Sequence, residues 1–518
     1  MNGLHPLDIT IVAAYLATVV YIGKRASKGA NNEEGFFLAG RKLGKLYQFF
    51  LNFGNATEPS GAVSNATLVF QRGVSGVWLG FQTIFMNPYY WFMNVWFRRV
   101  RLVTMGDLFE DRFGSRALSR LYAIFQIGVA CVFLGAGNFV AYKIAASLVR
   151  KPEVTWTATE RESAAGFVEL KQLETRKATA PLEPSDASRL DALRDLQARG
   201  KLHSYVTALP AAPFYIIFSV VVGAYIVLGG MAAAALNEAL QGILIVVFSV
   251  LLIPVGLKAI GGWGQLAHKV PPGDLDLFGV SGSPVFIIAS LLVGLVQIHG
   301  LSHNMGISGS AKDEFAARMG AVGGTYLKRV MIILWAFAGL IAIALFGKGG
   351  LSDPDAVWGT MSSQLLGPGF IGLMLAGVVA GTMSTLAAKA LAVSSLFVRN
   401  VFRDHFVGKP AGSSLKAARW AVIAVLALGV ISAMAMRNVE SVVKLILTVN
   451  VPFGASVILI FFWRRLTAPA VWCAVLFSAL ANLIVPLTAD YFEGVRQSPA
   501  LTVTADFRGR AVPVYWKE

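Results

Sequence analysis

Long apolar segments recur along this chain of 518 residues and limit the folds open to it. A bilayer-spanning helix needs roughly 20 apolar residues, and by that measure about twelve segments qualify. Backbone groups in lipid must be hydrogen-bonded internally, so spans of this kind are helices rather than open sheets. The pattern predicts an all-α integral membrane protein with about twelve transmembrane helices, near residues 6–24, 44–72, 74–97, 117–148, 211–230, 233–257, 281–304, 326–347, 367–398, 417–436, 441–463 and 467–487.

The charged residues support a multi-pass topology. Only 14% of the chain is charged, against about 25% in a soluble domain. The formal net charge of +16 is distributed in clusters on alternate loops, for example Lys24 and Arg25 after the first span. Because basic residues mark cytoplasmic loops, this pattern predicts a cell-membrane protein with its N-terminus outside. It favours contact with membrane lipid over a nucleic-acid partner.

Several chemistries have no signature in the sequence. Cys131 and Cys473 both lie in apolar spans and suggest no disulfide framework. His299 and His303 share a helical face, but no third metal ligand is evident, so we interpret them as packing residues. Phosphate-binding loops, dinucleotide fingerprints and nucleophile elbows are missing from the sequence as well. The chain is therefore not expected to be an enzyme.

A hydrophilic insert interrupts the apolar pattern. Residues 150–201 hold 10 Lys or Arg and 9 Asp or Glu, and the topology places them outside, between the fourth and fifth spans. Ser185 to Gly200 predicts an amphipathic helix, with a stripe of Leu190, Leu193 and Leu196. Because loops tolerate insertions, we interpret it as a solvated decoration rather than a partner-binding lid. Deleting residues 152–200 would then leave folding and uptake intact.

Two spans contain residues that break helices. Residues 54–61 place Gly54, Asn55, Glu58 and Pro59 at mid-membrane depth, and residues 294–300 are a weaker counterpart five helices later. One break alone could be a packing kink. Broken helices at corresponding positions of two halves are the sequence sign of an inverted-repeat transporter with its site near the midplane. The pair therefore favours transport.

Seven short motifs then follow one another in a familiar order. This order resembles the sodium:solute symporter family, which includes sodium–glucose, proline and pantothenate transporters. The likeness extends from Asp8 to about Ala470. The motifs include the opening run 36–41, the broken helix 56–61, the cytoplasmic helix 105–114, Gly229-Gly230 with Glu238 and Gln241, residues 311–314, and residues 380–385.

The resemblance implies a LeuT-like fold of two inverted five-helix repeats. One extra helix precedes the repeats and at least one follows them. The implied divisions are an N-terminal helix and cytoplasmic loop, a first repeat with an extracellular insert at 150–205, a second repeat, and a C-terminal helix with a polar tail. Their boundaries are 1–43, 44–257, 258–464 and 465–518.

The resemblance also implies a sodium ion bound between the first and eighth core helices. Its ligands would be the carbonyls of Ala56, Pro59 and Gly381 and the hydroxyls of Ser384 and Thr385. The residue chemistry agrees, because hard cations prefer oxygen ligands and a broken helix frees carbonyls. Gly381, Ser384 and Thr385 also share one helical face. In the alternative interpretation the two hydroxyls bond back to their own helix.

Three of the charged residues within the spans are candidate coupling charges: Glu58, Glu238 and Lys389. Intramembrane charges are costly and are functional hypotheses by default, although Glu238 could lie near the cytoplasmic surface and be merely solvated. Lys389 follows Thr385 by one turn. Its ammonium either pairs with Glu58 or Glu238, or substitutes for a coupling cation. We favour the pair, because buried charges are usually paired.

The solute pocket is expected where the two broken helices meet. The resulting hypothesis is sodium-coupled symport of a small polar organic solute by alternating access. Alternatives are a proton- or lysine-based, sodium-independent transporter of the same fold and a solute-sensing membrane module. The sequence specifies neither the solute nor the oligomeric state. Polar candidates for the pocket are Asn55, Ser60, Gln82, Asn87, Gln297, His299 and Asn450.

Overall fold

The fold is described from a computed structural model. It covers residues 4–81, 87–179, 182–198, 201–279, 284–348, 350–351, 353–410, 412–436, 451–481, 504–507 and 510–513. Gln82 and Asn450 lie outside these residues. Asn87, Gln297 and His299 lie in described helices, but their side chains are not part of the description.

Helices dominate the described residues. A two-stranded antiparallel hairpin, β1 (Thr504–Phe507) and β2 (Arg510–Pro513), follows them in the tail. The helices are α1 (Pro6–Ala26), α2 (Glu33–Leu38), α3 (Lys45–Ala56), α4 (Pro59–Arg72), α5 (Trp78–Phe81), α6 (Asn87–Arg99), α7 (Met105–Phe113), α8 (Arg116–Leu148), α9 (Ala158–Thr179), α10 (Pro184–Ala198), α11 (Ala211–Ile260), α12 (Trp263–Lys269), α13 (Pro284–His299), α14 (His303–Gly309), α15 (Glu314–Phe346), α16 (Val357–Leu365), α17 (Phe370–Leu396), α18 (Arg403–Phe406), α19 (Ser413–Ala435), α20 (Val451–Phe462) and α21 (Ala468–Ala479).

Six helical segments in the described part of the chain are long and apolar enough to cross a membrane: α1 with the turn after it, α8, α11, α15, α17 with the turn after it, and α19. Other predicted spans are divided between shorter helices, as 44–72 is between α3 and α4. Large apolar side chains such as Ile216, Val220 and Ile243 are exposed on the outside of α11. A water-facing helix would bury this surface, whereas a lipid-facing helix exposes it. The protein is a multi-pass membrane protein.

Helix α11 holds two spans in one run of 50 residues. At Gly230 the backbone turns to φ 54° and ψ −141°, outside the helical region. A side chain there would strike the carbonyl oxygen of Phe36, so the close approach and the positive φ both require glycine. The kink confirms the predicted division between spans 211–230 and 233–257.

The first broken helix follows directly from its sequence. Helix α3 ends at Ala56, and α4 begins at Pro59. Between them, Thr57 (φ −120°, ψ 84°) and Glu58 (φ −86°, ψ 146°) leave the helical region. A residue before proline is sterically pushed toward extended conformations, and proline suits the first position of a helix. The second break lies at residues 300–302, between α13 and α14. The prediction of a break within 294–300 is therefore wrong for all but its last residue, because residues 294–299 continue α13.

Helix α17 is the centre of the bundle. It packs against α11, α8, α1 and α3. Of its most apolar stretch, 83% of the residues are buried. Both pieces of the first broken helix, α3 and α4, pack against α15 and also touch α17. The break is therefore enclosed by α11, α15 and α17. This is the part of the fold in which the charged residues of the spans meet.

The insert forms a helical hairpin of α9 and α10. Phe167, Leu170, Leu190 and Leu193 form part of a small core between these helices. The predicted amphipathic helix is confirmed, because α10 buries Leu190 and Leu193. Hydrogen bonds from Arg189 to Glu169, the shorter of 2.7 Å, tie the two helices together and hold the pKa of the Glu169 carboxyl below its usual value.

Candidate cation and solute site

The central face of α17 approaches the first helix break very closely. A Cβ on Gly381 would lie 2.8 Å from Pro59 Cδ, so only glycine allows this contact. Ser384 and Thr385 follow on the same face and are both buried. The structure thus brings Pro59, Gly381 and Thr385 to one place, with Ala56 at the end of α3 directly before the break.

Three buried oxygen atoms near the break have no hydrogen-bond partner among the described residues. They are Thr385 Oγ1, Thr57 Oγ1 and Asn55 Oδ1. A buried polar atom left without a partner costs roughly 1–3 kcal/mol. The alternative in which Thr385 bonds back to its own helix is therefore wrong. Neutral oxygen atoms that lack a partner fit the ligand preference of a small hard cation.

The side chain of Glu238 reaches the same region from α11. It is 0% exposed, and Ser384 Oγ lies 2.7 Å from each of its carboxyl oxygens. Gly54 lies directly opposite, where a Cβ would overlap Glu238 Oε2. The suggestion that Glu238 is merely solvated is wrong. It fails because the kink at Gly230 and the absence of a side chain at Gly54 let α11 and α3 enclose the carboxylate.

No ion pair of Glu238 is found in the part of the chain that the structure describes. Its polar contact there is the hydroxyl of Ser384. An isolated carboxylate is very costly in a low-dielectric interior unless a cation or a proton neutralises it. The arrangement of Glu238, Ser384 and Thr385 is therefore chemically suited to binding a cation.

Lys389 forms the predicted ion pair, and its partner is Glu58. Lys389 Nζ lies 3.1 Å from Glu58 Oε1 and 4.6 Å from the centre of the Phe133 ring. Ser60 Oγ lies 3.3 Å from the other carboxyl oxygen, Glu58 Oε2. The ammonium of Lys389 is therefore bound to a carboxylate and does not take the position of a cation beside Ser384.

A cavity of about 200 Å³ lies between α4, α8 and α17. Glu58 and Lys389 line it together with Pro59 and Thr385 from the candidate cation site. A single water needs roughly 10–15 Å³ of such volume, so this space holds on the order of ten waters or one small solute. Its remaining walls combine hydroxyls and apolar groups, including Ser60, Ser64, Phe133, Val140, Thr382 and Leu386.

Of the predicted solute set, the structure describes the side chains of Asn55 and Ser60. Ser60 lines this cavity, and Asn55 is near the break with a buried, unpartnered oxygen. Sequence reasoning missed Ser64 and Thr382. Both carried a signal, since Ser64 is four residues after Ser60, and Thr382 is seven before Lys389. These spacings place each pair on one helical face.

The insert lines a second cavity next to this one. A second space of about 270 Å³ is lined by insert residues that include Phe167, Lys171 and His203. Ser60, Ser64 and Val140 line both spaces, so the two cavities adjoin. The interpretation of the insert as a solvated decoration remains a prediction. What the structure adds is a contact between the insert hairpin and a cavity beside the candidate site.

These features define a class of protein: a multi-pass helical membrane protein built around a broken helix. The comparison with solved structures supports the fold. A structure described as the substrate-bound outward-open state of a Na⁺-coupled sialic acid symporter matches 94% of this chain and 92% of that chain, with a TM-score of 0.69. At 14% sequence identity this likeness establishes the LeuT-like fold alone.

The sequence comparisons identify the family. The model of the sodium:solute symporter family matches residues 195–476, and the chain belongs to this family. The high-affinity proline transporter PutP of Bacillus subtilis is 29% identical over 283 residues, covering 52% of this chain and 57% of that protein. The sodium/pantothenate symporter of Haemophilus influenzae is 28% identical over 204 residues, or 38% of this chain and 40% of that protein. The chain thus spans about half the length of the curated relatives it matches.

Proposed function

We propose that this protein is a sodium-coupled symporter that carries a small polar organic solute across the cell membrane by alternating access. The observation that carries the proposal is the buried Glu238 carboxylate beside Ser384, next to the unpartnered hydroxyl of Thr385. The names of the relatives support it, since one is a sodium/pantothenate symporter and another a proline transporter.

The residues of this chain would hold the sodium ion with oxygen atoms alone. Carbonyls of Ala56, Pro59 and Gly381 and the hydroxyls of Ser384 and Thr385 form the proposed donor set. A bound cation supplies positive charge that offsets the charge of Glu238. Because Ala56 and Pro59 flank the break and the other donors lie on α17, binding would favour one relative position of these helices. A ligand shifts a conformational equilibrium by such a difference in affinity.

The orientation and the division of the chain remain parts of the proposal. An external N-terminus is supported by the basic clusters on alternate loops. The proposed boundaries 1–43, 44–257, 258–464 and 465–518 lie close to helix ends, since α3 begins at Lys45, α11 ends at Ile260 and α20 ends at Phe462. The extracellular side would then be the side of the insert, residues 150–205.

A second candidate is proton-coupled transport by the same fold. The specific observation in its favour is that both carboxyl oxygens of Glu238 lie 2.7 Å from one hydroxyl group. A carboxyl group that binds a proton there is neutral and needs no cation. Solute uptake driven by a pH gradient with sodium replaced by choline would support this candidate over sodium coupling.

The proposed cation site predicts a specific loss in a double variant. Ser384→Ala/Thr385→Ala removes two donor oxygens, so we expect the sodium concentration for half-maximal uptake to rise about tenfold or more. That change corresponds to about 1.4 kcal/mol of lost cation affinity. The measurement is uptake into proteoliposomes over a sodium series, with a library of small polar solutes. The solute is chosen first by thermal stabilisation of the purified protein with and without sodium.

Ser395→Ala is a matched control for that experiment. Ser395 lies on the same helix and is buried, but its hydroxyl bonds to the carbonyl oxygen of Ala392. It should leave the sodium dependence unchanged. A well-folded double variant with wild-type sodium dependence would exclude this cation site.

Because insert residues line a cavity next to the candidate site, we expect deletion of the insert to alter transport. Lys151 N bonds to Val206 O at 2.9 Å, and this contact closes the base of the insert. Replacing residues 152–200 by a short Gly/Ser linker should preserve folding, because the hairpin has its own core. We now expect the apparent KM for the solute to change by roughly tenfold, as for other lids over a binding site.

Uptake kinetics of the deletion variant in proteoliposomes test this expectation. The control is Glu169→Gln, which weakens the ion pair with Arg189 within the hairpin while leaving the cavity walls in place. Wild-type kinetics in the deletion variant would support the simpler interpretation, a solvated decoration.

A further inference from the structure

The central cavity presents one charge of each sign to a bound solute. Among the described residues that line it, Lys389 is the one cation and Glu58 the one anion. The side chains of the pair are not fully buried, since Glu58 is 35% exposed and Lys389 is 12% exposed. Here the pair forms part of a cavity wall.

Lys389 is placed to exchange one carboxylate for another. Its ammonium carries three donors and contacts the face of Phe133, so it keeps a favourable contact if Glu58 moves away. Four hydroxyls share the cavity: those of Ser60, Ser64, Thr382 and Thr385. They offer hydrogen bonds to a polar solute but carry no charge. Recognition of a charged group on the solute therefore depends on the ion pair.

We propose that Lys389 binds the carboxylate of the transported solute, and that Glu58 occupies Lys389 until the solute arrives. This inference rests on the proposed function, because it names the solute class of that same site. The solute is a small carboxylate, either an amino acid or a monocarboxylate. A neutral solute would leave the existing ion pair intact. A cationic solute would displace Lys389 beside a proposed cation site, whereas a Glu58 carboxylate displaced by an anionic solute still has Lys328 and the proposed cation nearby.

The exchange gives Glu58 a second role. Glu58 immediately precedes Pro59, a proposed cation ligand, and both line the same cavity as Thr385. A Glu58 carboxylate released by the solute adds negative charge beside the cation site, so sodium and the solute carboxylate bind cooperatively. Lys328 on α15 lies within electrostatic reach of Glu58, so a positive charge other than Lys389 also acts on this carboxylate. Sodium and the solute carboxylate together then add one positive and one negative charge to the site.

The test compares carboxylates with their matched amides on the purified full-length chain. The probes are the L-amino acids and the straight-chain C2–C6 monocarboxylates, each beside its primary amide. Binding is measured by thermal shift and then by equilibrium titration, in sodium and in choline. For the wild type we expect at least one carboxylate to bind about tenfold more tightly than its amide, and more tightly in sodium, because charge-assisted hydrogen bonds are the strong ones.

Two variants separate this role from a structural one. Glu58→Gln removes the competing carboxylate, so the solute carboxylate should bind about threefold or more tightly in choline, while the sodium effect shrinks. Glu58→Gln/Lys389→Gln strands no charge and should bind carboxylate and amide equally. Lys258→Gln, an exposed change at the end of α11, is the control and should keep the preference.

The outcomes separate this inference from the proposed function. Sodium stimulation with equal binding of carboxylates and amides would overturn the role of Lys389 and leave sodium symport standing. A preference for carboxylates that disappears in the double variant but is insensitive to sodium would support Lys389 and remove sodium coupling. Failure of every carboxylate to stabilise the wild type, or a preference that survives in the double variant, would overturn the inference.

Discussion

Lys389→Met is expected to lower the free energy of unfolding by about 2 kcal/mol, because it leaves Glu58 without its cationic partner. Breaking a fully buried ion pair costs about 3–5 kcal/mol. Glu58 is 35% exposed, so solvent screens part of that cost. The measurement is denaturant unfolding of the purified protein in detergent micelles, with the melting temperature recorded in parallel.

A second substitution tests whether the lost stability comes from the unpaired charge of Glu58. Lys389→Met/Glu58→Gln removes the stranded charge and should recover part of the lost stability, although each change alone is destabilising. The non-additive term of this double-mutant cycle reports the interaction itself. A stable Lys389→Ala protein with newly acquired sodium stimulation would contradict the pairing. It would instead favour the lysine-based alternative, in which the ammonium substitutes for a coupling cation.

The first helix break and the kink could be predicted from the sequence because they have local causes. Pro59 directs Glu58 away from the helical region, and the break therefore follows from two adjacent residues. Gly230 allows the positive φ at which α11 turns, and the apolar pattern already separated two spans there. On α17, helical spacing placed Gly381, Ser384 and Thr385 on one face, whereas their role as cation ligands came from the family resemblance and remains a proposal.

The contacts between residues distant in sequence could not be predicted in the same way. Helical spacing assigned Lys389 to a face but left both Glu58 and Glu238 as partners, since it does not specify which helix packs opposite. The choice depends on how α4, α11 and α17 pack. The structure pairs Lys389 with Glu58 across 331 residues and Ser384 with Glu238 across 146. The contact between the insert and the cavity beside the site also depends on tertiary packing, which the sequence pattern does not specify.

Gly54→Ala is the substitution from which we expect the largest functional loss. A Cβ at this position would overlap Glu238 Oε2 and lie 2.8 Å from Ser384 Oγ. The carboxylate or the hydroxyl must then move, and overpacking of this kind costs about 1–3 kcal/mol. We expect the sodium concentration for half-maximal uptake to rise roughly 100-fold, equivalent to about 2.8 kcal/mol of lost cation affinity.

Gly128→Ala is the matched control, since Gly128 lies in α8 and an added Cβ there meets no atom within 4 Å. Alanine is a better helix former than glycine, so this control should be neutral or slightly stabilising. Wild-type sodium dependence in Gly54→Ala would show that Glu238 and Ser384 are not at the cation site.

A second-site change can restore the space that Gly54→Ala removes. Aspartate is one methylene shorter than glutamate and keeps the charge, so Glu238→Asp should withdraw the carboxylate from the new methyl group. We expect Gly54→Ala/Glu238→Asp to recover sodium-dependent uptake relative to Gly54→Ala alone, in the same proteoliposome assay. Recovery requires that the carboxylate and the methyl group compete for one position. If Glu238→Asp instead adds its own loss to that of Gly54→Ala, the steric explanation is wrong and Gly54 acts through the backbone of α3.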